Sequence, residues 1–576
     1  MLSSQTRGMK TILINKGNAV SLIYLRLDFR EKVSGKTVCM KFIKRKNHVS
    51  LLRFGESGRA YGIRLTKNEI GSKRGRKRLI LVEDSASILW YNSEEKGDFI
   101  SYERKRKIIF PGRIYFNIRR RFPFITGQYG GGAFVFIYLF FLILLGLPIM
   151  VMEFSVGRAS RKSVSHSFDV LEPKGTRWHG FKAMAVSGNY ILMMFYTVVG
   201  GWMMNYVVKM SSGSLTGLEA ADVSGVFDAM LKSPSQQIGF MVVAVALGFL
   251  VCRLGLKNGV ERVSKVMMSC LFLIMIVLCI RSLTLPNAIE GLKFYLIPDF
   301  NRMLEAGISN VIFAAMSQAF FTLSIGMGSL AIFGSYIGKE RSLFGESLNI
   351  MALDTVVALL SGLIIFPAAA AYNIPVDSGP GLVFITLPNI FNSMPGGQIW
   401  GTLFFIFLSF AALTTIIAVF ENIVAFAMDS GLSRKKAVWM NIILLLILSL
   451  PCALGFNLWS SFQPLGAGST IQDLEDFIVS SNILPLGSLI YLMFCTRKCG
   501  WGWEAFIEEA NAGKGLRFPE KIRGYLRWGL PCIVIFIFFQ GYYAKFTGFA
   551  QFWLPLIIVA CVMMFPLSAW LSQRKS

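Results

Sequence analysis

The sequence predicts an all-α polytopic membrane protein, on the evidence of its composition and of its long uncharged stretches. Of the 576 residues, 54% are apolar and only 16% are charged, whereas soluble domains carry about 25% charged residues. Eleven stretches are apolar enough to cross a hydrocarbon core of roughly 30 Å as helices. Their approximate cores are residues 133–152, 183–208, 236–254, 263–283, 308–335, 350–372, 398–428, 437–456, 475–495, 528–545 and 550–572.

The net charge of +26 is distributed unevenly along the chain. Residues 1–121 hold 29 basic and 10 acidic residues, whereas residues 122–576 hold 30 and 23. The chain therefore divides into a basic N-terminal segment, 1–121, and a membrane domain, 122–573. Within the membrane domain, basic connections alternate with connections that are poor in Lys and Arg, and cationic loops face the cytoplasm. This alternation predicts a multi-pass protein of the cell (inner) membrane with a cytoplasmic C-terminus.

Residues that would support catalysis are sparse. The three histidines, His48, His166 and His179, lie far apart in sequence, which argues against a histidine-based metal centre or catalytic triad. Cys495 and Cys499 are a lone pair four residues apart, a weak indication of metal binding. No nucleophile and base stand at a suggestive spacing, so we expect no enzymatic activity.

The span 308–335 contains the first candidate site. Polar Thr322 and Ser324 directly precede Gly326 and Gly328. Irregular backbone occurs at membrane depth only where it lines a cavity or is buried in protein. A helix broken here would offer carbonyls and hydroxyls to a cation and the positive end of a half-helix to an anion. The alternative is an intact helix whose small residues serve packing, and the residues alone favour neither.

A second candidate site lies in the span 398–428. Ala411, Thr414 and Thr415 share one helical face, and their carbonyl and hydroxyl oxygens suit a hard cation such as sodium. The alternative is that both hydroxyls bond back to the preceding turn. Asp354 is a carboxylate in an otherwise apolar span, and such a residue usually marks an ion or proton path.

Several ordered motifs resemble those of the neurotransmitter:sodium symporters. They are RFPFITGQYGGGAF at 121–134, GLP at 146–148, MEFSVGR at 152–158, KNGVER at 257–262, FTLS at 321–324 with Gly326 and Gly328, FITLP at 384–388, and LTT at 413–415. The resemblance extends over residues 121–573. The short loops and the eleven visible helices resemble the bacterial amino-acid-transporting members of the family.

The resemblance implies a leucine-transporter-type fold of inverted five-helix repeats, with the first and sixth helices broken around an amino acid and two sodium ions. It implies substrate contacts from Leu192, Tyr196, Phe321, Ser324, Met327, Thr415 and Val419. It implies sodium ligands at Thr322, Asp354, Ala411, Thr414 and Thr415. It implies an outer gate of Arg121 with Asp476 and an inner gate of Asp429 with Tyr336.

Asp354 falls where many members of the family have a sodium-ligating Asn, so the resemblance implies transport that does not require chloride. The apolar lining, with Met327 at a place that is often aromatic, implies apolar or aromatic L-amino acids as substrates. We expect the lipid bilayer and the amino acid as partners, and no nucleic acid. The oligomeric state and the particular amino acid stay open. The alternative function is a non-transporting membrane binding or sensor protein on the same scaffold.

The sequence departs from the family before residue 121. The family has an Asn three residues before Arg-Phe-Pro, but Ile118 stands here, and residues 113–120 resemble nothing in the family. The first helix is therefore damaged or missing, and half of each sodium site with it. Three explanations stay open: a frameshift or wrong start upstream of codon 122, a true basic appendage that binds anionic lipid or nucleic acid, or an inactive truncated transporter.

Overall fold

The computed structural model describes the backbone of seven strands between residues 9 and 91, then residue 122 and residues 125–372 and 382–575. The chain divides into two units, Met1–Ile109 and Phe110–Ser576. The first unit contains two sheets, with strand orders β2-β1-β6-β7 and β3-β4-β5. These strands are β1 Met9–Lys16, β2 Ala19–Arg26, β3 Cys39–Arg45, β4 His48–Phe54, β5 Ala60–Leu65, β6 Arg78–Leu81 and β7 Ile88–Tyr91.

The second unit, which holds the membrane domain, is built from helices, as predicted. In chain order the helices of its first half are α1 Gly132–Ser160, α2 Val164–Leu171, α3 Trp178–Ser211, α4 Ala220–Lys232, α5 Pro234–Arg253, α6 Gly259–Leu283, α7 Ala288–Leu296, α8 Phe300–Glu305, α9 Ile308–Leu323 and α10 Ser329–Tyr336. Those of its second half are α11 Leu343–Ala371, α12 Val383–Asn392, α13 Gly397–Asp429, α14 Arg434–Leu454, α15 Ile471–Thr496, α16 Trp503–Ala510, α17 Glu520–Tyr543 and α18 Phe549–Lys575.

Ten of the described helices are long and apolar enough to cross a membrane. They coincide with ten of the eleven predicted spans, and the eleventh is the pair α9 and α10. Several helices extend beyond the predicted cores at their charged ends. For example, α1 continues from residue 152 to Ser160 because its terminal Arg158 is buried against other parts of the protein.

Glycines bring α10 into backbone contact with α1. A Cβ at Gly157 would collide with the carbonyl of Ala331, and one at Gly334 would collide with the carbonyl of Phe154. Such close approach is available only to residues without a side chain, which is why small residues mark helix contacts in membranes. The helices α1 and α10 are therefore packed as one unit.

A second group is formed by α13 with α3, α5 and α14. A Cβ at Gly248 of α5 would lie 2.8 Å from side-chain atoms of Ile416 and Phe420 on α13. The rings of Phe249 and Phe420 stack with their centroids 4.0 Å apart. Close packing of this kind resists sliding, so these helices form a separate packed group beside α1 and α10.

Candidate functional site

The eleventh span is broken in the middle. Helix α9 ends at Leu323 and α10 begins at Ser329. Between them Ser324 has φ 48°, Gly326 φ 92° and Gly328 φ 70°. Positive φ angles are incompatible with a continuing α-helix and favour glycine. The prediction of a broken helix is therefore confirmed, and the alternative of an intact helix is excluded.

Glu153 of α1 supports the break from one side. Its side chain is fully buried, with Oε2 accepting a hydrogen bond from the amide of Gly326 at 3.0 Å and Oε1 from the amide of Leu330 at 2.6 Å. Leu330 is the second residue of α10, so the carboxylate lies at the positive end of that helix. Two charge-assisted bonds thus offset the cost of burying the carboxylate.

Two asparagines support the break from the other side. Asn189 of α3 donates from Nδ2 to the carbonyl of Met327 at 3.1 Å and to that of Ala185 at 2.8 Å. Its Oδ1 accepts a hydrogen bond from Asn422 of α13 at 2.9 Å. Both side chains are fully buried. The non-helical segment is therefore attached to both packed groups of helices.

Thr322 and Asp354, the two predicted ligands of the first sodium ion, lie near a tyrosine of α1. Thr322 Oγ1 accepts hydrogen bonds from the Tyr138 hydroxyl and from Gln318 Nε2, each at 3.2 Å. Asp354 is fully buried in α11, in the neighbourhood of Tyr138. Tyr138 thus has a predicted sodium ligand near it from each of two helices, α9 and α11.

The three predicted ligands of the second sodium ion share one turn of α13. The hydroxyls of Thr414 and Thr415 donate to the carbonyl of Ala411 at 2.8 Å and 3.4 Å. The back-bonding alternative is therefore also realised. It is compatible with a cation, because each hydroxyl oxygen keeps lone pairs once its proton is directed to the carbonyl. All three side chains are buried.

The predicted substrate contacts come from α3, the break and α13. Ser324 is half-buried, and the others are buried, namely Leu192, Tyr196, Phe321, Met327, Thr415 and Val419. Four of these side chains are aliphatic, thioether or phenyl groups. A ligand among them would therefore have apolar side chains on one side and the polar backbone of the break on the other.

The predicted gate residues lie at the two ends of the bundle. Arg121 lies outside the described residues. Asp476, near the N-terminal end of α15, is half-buried and accepts a hydrogen bond from the Ser480 hydroxyl at 2.7 Å. Asp429 ends α13 and accepts hydrogen bonds from the backbone amide and hydroxyl of Ser163 at 2.9 Å and 2.6 Å. The ring of Tyr336 meets that of Phe333 edge-on, with centroids 6.2 Å apart.

Sequence reasoning missed three supporting residues of the site, Glu153, Asn189 and Tyr138. Glu153 lies next to the end of the predicted span 133–152, and its place in the sequence does not distinguish a buried role from an interfacial one. Asn189 is the only charged or amide side chain among residues 183–204 of the printed sequence, and a lone amide in an apolar span commonly bonds another helix.

A separate cluster gathers Asp169, Glu172 and His179, whose ligating atoms lie within 4.8 Å of one another. Sequence distance had suggested that the histidines stand alone. Here His179 Nδ1 bonds Glu172 at 2.6 Å, and Lys182 pairs with Asp169 at 3.4 Å. Ion pairing among one exposed and two half-buried side chains accounts for this arrangement.

A membrane span that is broken at mid-length, with buried polar side chains of other helices bonded to the non-helical backbone, is typical of secondary transporters. The chain belongs to the sodium:neurotransmitter symporter family, whose model matches residues 116–221 and 228–571. The resemblance seen in the sequence is thereby confirmed, and with it sodium-dependent transport.

Bacterial relatives and a solved structure agree with this assignment. The uncharacterized sodium-dependent transporter YhdH of Bacillus subtilis is 35% identical over 422 residues, which cover 73% of this chain and 91% of the relative. An uncharacterized sodium-dependent transporter of Haemophilus influenzae is 30% identical over 443 residues, covering 74% and 94%. The crystal structure of MhsT in complex with L-phenylalanine superposes with a TM-score of 0.68 at 34% identity, covering 76% of this chain and 97% of MhsT.

The two bonds of Glu153 predict a specific sensitivity of the site. We expect Glu153→Gln to lower the melting temperature and to weaken sodium-dependent ligand binding about tenfold or more. The amide NH₂ of the Gln would face a backbone N–H, so one bond is lost. Hydrogen bonds to charged groups contribute about 1.5–3 kcal/mol. Scintillation proximity binding and thermal unfolding in detergent measure both effects. The exposed Glu290 of α7 offers a matched control, and equal behaviour of Glu290→Gln and Glu153→Gln would contradict the assignment.

Proposed function

We propose that the protein takes up apolar or aromatic L-amino acids by sodium-coupled secondary active transport with alternating access. The observation that carries the proposal is the broken helix α9–α10, held by Glu153 on one side and Asn189 on the other. Family membership and the likeness to MhsT, whose structure contains L-phenylalanine, support the amino-acid class. The work is binding and conformational change, with no covalent step, so the protein is not an enzyme.

The amino acid binds against the break. Its ammonium group is held by the carbonyls that the broken backbone leaves free, and Tyr196 donates its hydroxyl to the carboxylate. Its side chain occupies the apolar flank, which is lined by Leu192, Phe321, Ser324, Met327, Thr415 and Val419. Since Met327 is unbranched and flexible, this flank adapts to side chains of different sizes.

Two sodium ions bind on either side of the break. Thr322 and Asp354 hold the first, and Ala411, Thr414 and Thr415 hold the second. All of these ligands are oxygens, the donor type that hard cations prefer. Asp354 supplies a negative charge beside the first ion, so transport does not require chloride. Sodium binding stabilises the outward-open state, and substrate binding allows the outer gate to close.

The basic connections face the cytoplasm. The C-terminal ends of α1, α10 and α13 and the C-terminus of the chain are therefore cytoplasmic. The protein is a multi-pass protein of the cell membrane. Asp476 belongs to the outer gate, for which the family pattern supplies Arg121 as partner. Asp429 and Tyr336 belong to the inner gate.

We expect the unmodified protein to accumulate L-phenylalanine in proteoliposomes when a sodium gradient drives uptake. In Thr414→Val we expect this accumulation to fall by at least about tenfold, because a cation site that loses one of its few oxygen ligands loses affinity. Radiolabelled uptake with and without an inward sodium gradient is the measurement. Thr402 lies on the same helix, is half-buried and bonds back to Gln398 at 2.7 Å, so Thr402→Val is the matched control. Binding of L-phenylalanine without accumulation would favour a non-transporting sensor instead.

Chloride replacement tests the role of Asp354. Uptake by the unmodified protein is expected to be unchanged when chloride is replaced by gluconate, because the carboxylate already balances the charge of the first sodium ion. The Asp354→Asn variant is expected to lose most sodium-dependent uptake in gluconate. Any uptake by this variant that remains is expected to require chloride. Uptake by the unmodified protein that vanished in gluconate would contradict the assignment.

We also propose that residues 1–121 are not a second functional domain but a product of a shifted reading frame or a wrong start. The family model begins to match at residue 116, and the residues before it lack the first-helix pattern. Translation of the upstream DNA in the other two frames is expected to recover a helix ending in Gly-Asn-x-x-Arg-Phe-Pro. Absence of that pattern in both frames would reject this explanation and favour a basic appendage or an inactive relative.

A further inference from the structure

The connection between α1 and α2, residues 158–163, is anchored to the end of α10. Arg161 has φ 56° and donates from Nη1 to the carbonyls of Ser335 at 2.9 Å and Ile337 at 3.1 Å. Arg158 is fully buried and donates to the Glu509 carboxylate at 2.6 Å. The two bonds of Arg161 satisfy carbonyls that the end of α10 leaves free. The connection therefore belongs to the packed unit of α1 and α10.

The same connection is also bonded to the other packed group. Asp429 ends α13, and its Oδ2 accepts hydrogen bonds from both the amide and the hydroxyl of Ser163, at 2.9 Å and 2.6 Å. Lys162 Nζ lies 3.4 Å from Oδ1. Hydrogen bonds to a carboxylate are stronger than neutral ones. A charged contact thus joins the two groups at the end of the bundle that carries the basic connections.

The donors and acceptors around Ser163 leave a single arrangement of protons. A carboxylate only accepts, so the single hydroxyl proton of Ser163 is directed to Asp429. Ser163 Oγ lies 2.7 Å from Ser165 Oγ, so Ser165 must be the donor in that bond. Ser165 Oγ lies 3.0 Å from His166 Nδ1, so Nδ1 must carry a proton. Three groups, His166, Ser165 and Ser163, therefore donate in one direction, and Asp429 is the final acceptor.

We propose that this chain from His166 through Ser165 and Ser163 to Asp429 is the latch that holds the cytoplasmic side closed. The inference rests on the proposed transport cycle, which requires this side to open and close. Ser163 and His166 are positioning residues, since they act through Asp429 and do not reach the substrate. Bonds in such a chain strengthen one another in a buried setting, and the hydroxyls of Ser163 and Ser165 are buried.

The latch is tested by labelling a cysteine that it shields. Ser335 lies on α10, where its carbonyl accepts a hydrogen bond from Arg161. Its side chain is only 8% exposed, so Ser335→Cys is a conservative reporter of access. The variant is made in full-length protein from which the other reactive cysteines have been removed. The rate of reaction with a thiol reagent admitted to the cytoplasmic side is measured in proteoliposomes, in sodium and without substrate. We expect Ser163→Ala, which loses a bond to a carboxylate, to react roughly tenfold faster, and His166→Ala, which loses a bond between neutral groups, to react roughly fivefold faster.

Replacement of His166 by Asn distinguishes the latch from simple packing. The Asn side-chain nitrogen can occupy the position of Nδ1 and donate to Ser165, so His166→Asn is expected to label at the parent rate. A packing role would make His166→Asn and His166→Ala alike. Asp169→Asn is the control, since it breaks the exposed pair with Lys182 in the neighbouring helix without touching the latch.

The proposal is overturned if Ser163→Ala labels at the parent rate, or if the two His166 variants label equally fast. If Ser163→Ala fails to fold by thermal unfolding, Asp429→Asn preserves the shape of the latch, removes its charge and carries the same expected increase. Labelling requires no accumulation of amino acids. A protein that binds but does not transport would therefore contradict the proposed function while leaving the latch measurable.

Discussion

The hydrocarbon core of a membrane supplies no water to an exposed peptide group, and the arrangement of the site follows from that constraint. Five residues, 324–328, leave the helix at mid-membrane depth, and their amides and carbonyls need partners within the protein. Glu153 accepts from the amide of Gly326 within this segment and from that of Leu330 in the first turn of α10, and Asn189 donates to the carbonyl of Met327. The break can persist only because these buried side chains satisfy it.

The supports of the break belong to different packed groups. Glu153 lies on α1, which is in backbone contact with α10, whereas Asn189 and Asn422 belong to α3 and α13. A ligand bound at the break would therefore contact a segment that is attached to both groups at once. Binding energy that favours one relative placement of the groups is the physical basis of coupling between ions and substrate.

The spans could be predicted because an uncharged stretch of about 20 residues has few stable places other than a bilayer. The break could be anticipated from Gly326 and Gly328, although the residues alone did not exclude an intact helix. Long-range partners were not predictable from the sequence. Glu153 bonds amides 173 and 177 positions away, and the Asp429 carboxylate meets Ser163 across 266 positions. No local pattern of charge or hydrophobicity encodes such pairs.

The two explanations weighed for Thr414 and Thr415 proved compatible. Both hydroxyls bond back to Ala411, which is the ordinary behaviour of threonine in a membrane helix. The same bonds direct the protons away from the remaining lone pairs. Bonding back to Ala411 is therefore no argument against the proposed ligand role, because it uses the hydroxyl protons and leaves lone pairs on the oxygens.

The glycine contact between α1 and α10 also determines how motion at the break is transmitted. Helix α10 has eight residues and is about 12 Å long at 1.5 Å per residue. Because Gly157 and Gly334 leave it no room to slide along α1, it tilts together with that helix. A tilt of about 10° over this length displaces the far end by about 2 Å, enough to part a hydrogen bond. A small tilt of the pair at the break would therefore make or break contacts at the far end of α10, about 12 Å away.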